Sequence, residues 1–398
     1  MADLIPVQCP VCAHPLCAPF FSGEGPLATI AWPESREAAV AMPRLRLDFV
    51  QCPQCSHVFN RSFEYTRVPY AAKPNRMFNR GLIWHGHLTR TREMLLDALP
   101  SDPTVVEIGC ADGHFLHALA QVKPGRYEGF DPHGIGESGD GVRFHARMFD
   151  PATDIGAIAP DLVIIRHLLE HLKEPRVLLA ELAWAAACAV RPCLLFVESP
   201  CIDRVFATDR LADFYYEHVS HFTTRSFSRL LAAAGELMQL AHGYGGEVVY
   251  GMARLGVAPE LQQSAAASAR FAERSAINRQ RIHRQLDELA RTGKRVAIWG
   301  GTGKGAAFMH HYGIDPERFP CVVDSDADKI GTHVPGIGQR IDFRDVLKTS
   351  AIDVVIIPTQ WRARDIVAEI AREGIACPQV LIEHRGELVD FAHDPHPY

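Results

Sequence analysis

One local pattern occurs twice in this chain: an apolar strand, a glycine-containing turn, a helix, and a second apolar strand that ends on an aspartate. The first copy begins with TVVEIGCADGHFLHALA at residues 104–120 and ends with YEGFDP, whose aspartate is Asp131. The second begins with VAIWGGTGKGAAFMHH at residues 296–311 and ends with CVVD, whose aspartate is Asp324. Strands that alternate with helices form parallel sheets covered by helices on both faces. The chain is therefore predicted to be an α/β protein with two doubly wound sheets.

The first glycine turn reads E-x-G-x-A-x-G from Glu107 to Gly113, with a short turn through Asp112 before the helix. This is not the GxGxxG of a dinucleotide site. An acidic residue at a strand end about 20 residues beyond such a turn is placed to bind a ribose diol. Asp131 is therefore predicted to contact the ribose of a cofactor that contains a nucleoside.

The second glycine turn, Gly301-x-Gly303-x-x-Ala306, fits the dinucleotide fingerprint, with Asp324 at a suitable distance beyond it. Lys304 is followed by glycine where a Walker P-loop has serine or threonine, so a P-loop is excluded. Because of this turn, an NAD(P)-dependent oxidoreductase is one candidate function of the chain.

Two further apolar stretches, DLVIIRHLLEHLKEP from Asp161 and CLLFVESP to Pro200, continue the series, and Asp161 is predicted to begin a buried strand. The residues after that strand, Arg166 to His171, are expected to face the cofactor crevice at its carboxyl end, where ligands of such folds bind. The alternative for His167 and His171, which are four residues apart, is that they lie on a helix and only pack against the protein or cap the helix end.

The stretch YYEHVSHF at residues 215–222 precedes a predicted helix that is capped by Thr223 or Thr224. In an extended chain Glu217 and His218 point to opposite sides. A histidine with a pKa near 6.5 suits proton abstraction at neutral pH, so His218 is a candidate base, and Glu217 would contact a substrate hydroxyl or a neighbouring group. The alternative is an ordinary polar strand edge.

Two Cys-x-x-Cys knuckles near the N-terminus predict a zinc site. Tetrahedral zinc takes four thiolates, and two-residue spacing lets one turn present both sulfurs to one ion. Four cysteines leave no open position for water, so this zinc would be structural; unmetallated thiols or redox pairs are the alternative. The residues between the knuckles, about 18–45, are expected to loop out. The four ligands are Cys9, Cys12, Cys52 and Cys55.

The charge, the apolar runs and the cysteine usage of the chain indicate which kinds of molecule it binds. A net charge of -6 offers no basic field for nucleic acid. No apolar run approaches the roughly 18 residues of a membrane span, and the first residues lack a signal-peptide layout. The cysteine usage suits a reducing compartment. We therefore expect a cytoplasmic monomer or homodimer that acts on a small molecule, without nucleic acid or membrane.

The knuckles, VEIGCADG, YYEHVSHF and GGTGKG…VVDSDADKIGTHVPG occur in one order, and this ordered set resembles the NDP-sugar C-methyltransferases of deoxysugar biosynthesis. The resemblance implies three domains: a zinc-binding domain at 1–75, a class I S-adenosylmethionine (SAM) methyltransferase domain at 76–257, and a C-terminal Rossmann-like domain at 258–398. It also implies SAM as cofactor and a nucleotide-linked keto-sugar as substrate.

The resemblance further implies roles for individual residues. His218 would be the general base, and the last domain would contribute a phosphate contact to the substrate site. The implied catalytic residues are Tyr70, His171, Tyr215, Glu217 and His218. The implied cofactor-binding residues are Glu107, Gly109, Asp112, Gly113, Asp131, Arg166 and His167. The implied substrate-binding residues are Tyr216, His221, Glu247 and Lys304.

The chain departs from the family pattern around the predicted pocket. The departures are Tyr216 for histidine, Glu170 for alanine, Arg166-His167 for two asparagines, His221 for tyrosine and Glu247 for serine. These departures do not change the predicted fold, but they leave the identity of the methyl acceptor undetermined.

The function expected from the sequence is SAM-dependent methylation of a carbon next to a sugar ketone. His218 would remove the acidic proton, and Tyr70, Tyr215 or His171 would hold the enolate. O-methylation of a sugar or related small molecule, with His218 deprotonating a hydroxyl, is the nearest alternative. The oxidoreductase and a catalytically silent zinc-bearing binding protein are the others.

Overall fold

The computed structural model describes residues 3–30, 32–70 and 81–398. They form two compact units, one up to Ala258 and one from Pro259 onward. The predicted boundary between residues 75 and 76 lies outside the described residues. In the described ranges no helix is both long enough and apolar enough to cross a lipid bilayer.

Helices and strands alternate through most of the chain. In chain order the strands are β1 (Ala18–Gly25), β2 (Leu45–Gln51), β3 (Val58–Asn60), β4 (Thr104–Ile108), β5 (Arg126–Phe130), β6 (Val142–His145), β7 (Leu162–Arg166), β8 (Leu194–Pro200), β9 (Ser220–His221), β10 (Gly235–Gly243), β11 (Val248–Leu255), β12 (Val296–Trp299), β13 (Cys321–Asp324), β14 (Ile341–Phe343), β15 (Val354–Ile356), β16 (Gln379–His384) and β17 (Glu387–Asp390). The helices are α1 (Arg36–Val40), α2 (Leu82–Ala98), α3 (His114–Ala120), α4 (Pro151–Ile158), α5 (Pro175–Ala189), α6 (Asp203–Ala207), α7 (Thr224–Ala234), α8 (Pro259–Arg291), α9 (Lys304–His311) and α10 (Ala363–Arg372).

The N-terminal sheet is antiparallel, in the order β1-β2-β3-β9. Strand β9 comes from the YYEHVSHF stretch, and its His221 and Ser220 lie opposite Val58 and Phe59 of β3. The sheet thus joins the cysteine knuckles to a segment more than 150 residues later in the chain. The expectation that residues 18–45 simply loop out was wrong: β1 pairs with β2 along its length, and α1 follows.

The central sheet has the order β10-β11-β8-β7-β4-β5-β6, with β4 to β8 parallel and the β10–β11 pair antiparallel. Its middle strands are buried on both faces: residues 162–165 of β7 are fully buried. This is the continuous apolar run expected of a parallel strand between helix layers. From β4 the chain continues to β5 and β6 on one side, and it then crosses back to β7 on the other side of β4. This reversal opens a crevice at the carboxyl ends of β4 and β7.

The C-terminal sheet has the order β14-β13-β12-β15-β16-β17, parallel except for β17. Its glycine turn brings α9 against the end of β12. A side chain on Gly305 would place its Cβ 1.9 Å from the carbonyl oxygen of Gly300, so only glycine permits this approach. The predicted α/β class is confirmed: parallel strands dominate both large sheets.

Helix α7 begins where the threonines predicted a cap. Thr223 is the N-cap residue, and it forms a capping box with Ser226, each side chain accepting from the other residue's backbone N–H. This cap fixes the direction in which the YYEHVSHF segment enters the helix.

Candidate active site

A cavity of about 320 Å³ lies at the carboxyl ends of β4, β5 and β7. Its volume is in the range of small-molecule sites, and it occupies the crevice where the strand order reverses. The residues of its wall that carry predicted roles are Tyr70, Gly109, Asp131, His167 and His171.

The glycine turn after β4 needs its glycines. Gly113 has a φ of +71°, and a Cβ there would lie 1.9 Å from the ring of Phe144. Gly109 has a φ of +77°, and its Cβ would meet Leu168 at 3.3 Å. Glycine adopts these left-handed conformations without steric cost, so the backbone can turn sharply at the end of β4. Bare backbone at Gly109 therefore forms one wall of the cavity.

Asp131 is held at the end of β5 by two backbone N–H groups. Its Oδ2 accepts from Ala111 at 3.1 Å and its Oδ1 from His133 at 2.8 Å. Each carboxylate oxygen keeps a further acceptor position. The side chain lines the cavity in a fixed orientation that suits a ribose diol.

Glu107 and Asp112 border the same turn in different environments. Glu107 is buried, and burial raises its pKa to about 8, so the carboxyl is mainly protonated at neutral pH. Asp112 is partly exposed and accepts a hydrogen bond from the backbone of His114 at 3.3 Å.

A buried ion cluster lies beside the cavity, centred on Glu198 at the end of β8. Its carboxylate receives hydrogen bonds from Arg166 at 3.0 Å and His87 at 2.6 Å, and contacts His167 at 3.0 Å. Burial favours the neutral acid, but Arg166 and the two histidines hold the pKa of Glu198 well below its usual value. Arg166 thus faces a carboxylate and stacks over Phe115 at 4.1 Å, and we no longer assign it a direct cofactor contact.

The sequence prediction did not include Glu198 and His87. Glu198 sits near the carboxyl end of β8, which pairs with β7, and this position at the ligand-binding edge of the sheet was the available signal. His87 lies on α2, and nothing in the local sequence indicates that it faces a carboxylate 111 residues away.

His167 connects this cluster to the cavity. It lies in the left-handed region with a φ of +49°, and its Nδ1 is 3.4 Å from Glu170. Burial lowers the pKa of His167, but hydrogen bonds to Glu170 and Glu198 outweigh it and raise the pKa to about 9. The ring is therefore an imidazolium at neutral pH.

His171 and Tyr70 face each other across the cavity edge, with ring centroids 6.2 Å apart. Nδ1 of His171 lies 2.9 Å from the backbone carbonyl of Glu217 and donates to it, which leaves Nε2 with the lone pair. The Tyr70 hydroxyl is buried and has no hydrogen-bond partner among the described residues. Burial raises the pKa of that hydroxyl, so it stays a donor.

His218 lies next to His171, with ring centroids 4.9 Å apart. The chain turns at Tyr216 and Glu217, which brings the Tyr215 hydroxyl within 2.9 Å of Nε2 of His218. Burial lowers the pKa of His218 well below 6.5, and the neighbouring histidines add to this. The ring is neutral and partly accessible, which is the state that a proton acceptor requires.

Glu217 points away from His218, into the N-terminal sheet. Its side chain is fully buried, and Oε1 accepts from the backbone N–H groups of Ala28 and Thr29 at 2.7 Å each, and from the Thr29 hydroxyl at 3.1 Å. The carboxylate therefore anchors the turn to the loop between the knuckles. Of the two contacts expected for Glu217, a substrate hydroxyl or a neighbouring group, these are of the second kind, and they indicate a positioning role.

Tyr216 and His221 were predicted to contact substrate, and the structure places both in the interior. Tyr216 is 2% exposed, stacks against Phe63 at 5.1 Å, and accepts from the backbone of Glu64. His221 packs between Phe49 and Phe214 because β9 points it into the sheet core. Both substrate assignments are withdrawn.

Glu247 and Lys304 also have protein partners. Glu247 pairs with Arg210 at 2.7 Å, which lowers the pKa of Glu247. Its substrate contact remains a prediction. Lys304 lies in the second unit, where it donates to Gln360 and sits 4.6 Å above the ring of Trp361. Its phosphate contact remains a prediction.

The four knuckle cysteines converge. Sγ of Cys9 is 3.6 Å from that of Cys55, Sγ of Cys12 is 3.5 Å from that of Cys52, and all four lie within 4.8 Å of one another. A tetrahedral ion with Zn–S bonds of about 2.3 Å separates its sulfurs by about 3.8 Å. The cluster therefore fits a four-thiolate metal site.

Two family models match the chain. Residues 84–236 match the model described as a methyltransferase domain, and residues 258–376 match the model described as a C-methyltransferase C-terminal domain. The first range holds the ion cluster, His218 and most of the cavity wall, apart from residues such as Tyr70. No curated relative matches the chain.

Solved methyltransferases resemble part of the chain. The N-methyltransferase NodS from Bradyrhizobium japonicum is 16% identical, with 45% of this chain and 100% of that chain covered and a TM-score of 0.33. A SAM-dependent methyltransferase from Aquifex aeolicus is 14% identical over 45% and 100%, with a TM-score of 0.31. The 1,6-didemethyltoxoflavin-N1-methyltransferase from Burkholderia thailandensis is 15% identical over 44% and 82%, with a TM-score of 0.33.

Proposed function

Because this chain is a SAM-dependent methyltransferase of the NDP-sugar C-methyltransferase type, we propose that it methylates a carbon beside the ketone of a nucleotide-linked sugar, with His218 as general base. The observation that carries the proposal is the contact between His171 and His218 at the edge of the cavity. One ring lines the cavity and the other is a neutral acceptor held by Tyr215.

The cavity fits the cofactor by its own features. Bare backbone at Gly109 allows close approach, and the fixed carboxylate of Asp131 suits a ribose diol. When bound, SAM supplies an electrophilic methyl group on a sulfonium. The chain's part is to hold the acceptor carbon in line with that methyl and to exclude water.

Proton removal falls to His218. A ketone makes the neighbouring C–H acidic, and a neutral imidazole within reach takes the proton and becomes an imidazolium. The enolate oxygen then needs donors. The unpartnered hydroxyl of Tyr70 is one, since it lies at the cavity wall and stays protonated.

We also propose one structural zinc ion at the four knuckle cysteines. The supporting observations are the sulfur spacing and the burial of Cys9, Cys52 and Cys55. The ion would act on catalysis through the sheet, because β3 follows the second knuckle and pairs with β9.

O-methylation uses the same base on a hydroxyl and is the second candidate. The two are separated by supplying SAM with a ¹³C-labelled methyl group and candidate 4-keto-sugar nucleotides, then recording the product by NMR. C-methylation gives a labelled methyl carbon bonded to a ring carbon, with the chemical shift of an alkyl group. An O-methyl shift would overturn the proposed position of transfer.

A further inference from the structure

A second cluster of metal-ligating side chains lies in the same unit, apart from the cysteines. Glu170, His171 and His218 each offer one ligand atom, and these three atoms lie within 4.8 Å of one another. Glu170 is 2% exposed and the two histidines are partly buried. Two imidazoles and one buried carboxylate form a donor set that first-row transition metals bind well.

The surroundings of the cluster resemble those of metal ligands. His171 donates its Nδ1–H to the backbone carbonyl of Glu217 at 2.9 Å, which orients the ring and leaves Nε2 as donor. Such an outer hydrogen bond is the usual partner of a metal-bound histidine. Glu170 is likewise oriented, because Oε2 accepts from the Ser199 hydroxyl at 3.1 Å. Two of the three ligands are therefore held in place without metal.

The three ligand atoms, now within 4.8 Å of one another, need to move only slightly closer together to coordinate an ion. Bonds of about 2.1 Å place neighbouring ligand atoms roughly 3–3.5 Å apart. The Tyr215 hydroxyl, 2.9 Å from Nε2 of His218, lies next to the site as a further oxygen donor. The ion would be a borderline cation such as Zn²⁺ or Co²⁺, because Mg²⁺ prefers an all-oxygen shell.

We propose that Glu170, His171 and His218 bind one first-row transition-metal ion, and that the bound ion inhibits methyl transfer by occupying the proton-accepting nitrogen of His218. The inhibitory half rests on the proposed function; the binding half does not. Inhibition is competitive with the sugar acceptor, since both need the same ring.

The binding test is a Co²⁺ titration of the zinc-loaded protein, followed by visible absorption. We expect one equivalent to bind with the weak d–d bands of nitrogen and oxygen ligands and without the thiolate charge-transfer band of the cysteine site. Glu170→Ala, which installs the residue common in the resembling family, should weaken this binding by about tenfold or more, since even an outer-shell partner contributes that much. Glu174→Ala, an exposed carboxylate nearby, is the matched control and should bind like the wild type.

A wild-type protein that takes up no Co²⁺ beyond the cysteine site would overturn the proposal, as would equal Co²⁺ affinity in the wild type and in Glu170→Ala. This absorption readout needs no substrate, so it is independent of which atom is methylated. In the activity assay, micromolar Zn²⁺ should inhibit the wild type and spare Glu170→Ala, whereas Mg²⁺ should inhibit neither. Activation by Zn²⁺ would contradict the inhibitory role.

Discussion

Oε1 of Glu217 accepts a hydrogen bond of 2.7 Å from the backbone N–H of Thr29, a residue 188 positions earlier in the chain. Together with the β3–β9 pairing, this bond ties the turn that carries Tyr215 and His218 to the loop between the two cysteine knuckles. The N-terminal module therefore acts as the support of the candidate base.

Replacing Glu217 tests this support. Glu217→Ala removes the acceptor of the Ala28 and Thr29 N–H groups, and we expect a loss of about 1–3 kcal/mol in the free energy of unfolding, with a lower kcat. Glu217→Gln keeps an acceptor oxygen and should retain most of both. Urea denaturation and steady-state kinetics measure the two effects. If Glu217→Gln were fully folded yet as slow as a His218 variant, Glu217 would have a chemical role.

Removing the zinc ion from the cysteine knuckles should displace His218, although the two are not in contact. Chelation of zinc, or Cys52→Ser, is expected to lower the melting temperature and the methyl-transfer rate together, because the knuckle precedes β3 and β3 holds β9. Cys188→Ser, at an exposed cysteine, should leave both unchanged. Metal analysis should give one zinc per chain before chelation. Full activity in the metal-free protein would refute the support role.

Asp131 should contribute to cofactor affinity. A hydrogen bond to a charged group contributes roughly 1.5–3 kcal/mol, so Asp131→Ala should weaken SAM binding by about tenfold or more in calorimetry. The matched control is Asp140→Asn, at an exposed aspartate of the following loop. Unchanged SAM affinity in Asp131→Ala would place the ribose elsewhere.

His167 makes stability depend on pH in a defined window. Its folded pKa is about 9 and its unfolded pKa about 6.5, so the stabilisation is complete below pH 6.5 and is lost as pH rises through 9. The loss amounts to at most about 3–4 kcal/mol. His167→Asn should show a flatter profile of unfolding free energy between these two pH values. An equally steep profile in the variant would assign the effect to another group.

Sequence reasoning located the parts of the site that local pattern determines. Gly109 and Asp131 end adjacent parallel strands, as the strand–turn–helix pattern predicted, and the four cysteines converge as their spacing predicted. The partner of Glu217 and the pairing of β9 with β3 depend on contacts between distant segments, which local periodicity does not encode. For the same reason the burial of Tyr216 and His221 was missed: the turn before β9 sends them into the sheet interior.

The central claim is that His218 removes a proton from a carbon, and deuterium exchange measures this step alone. The enzyme is incubated in deuterium oxide with a 4-keto-sugar nucleotide and S-adenosylhomocysteine, without methyl donor, and the acceptor C–H signal is followed by NMR. We expect exchange in the wild type and a decrease of about 10²–10⁴-fold in His218→Asn, with cofactor affinity retained. His393→Asn, at an exposed histidine of the second unit, should exchange like the wild type. Wild-type exchange in His218→Asn would contradict the account.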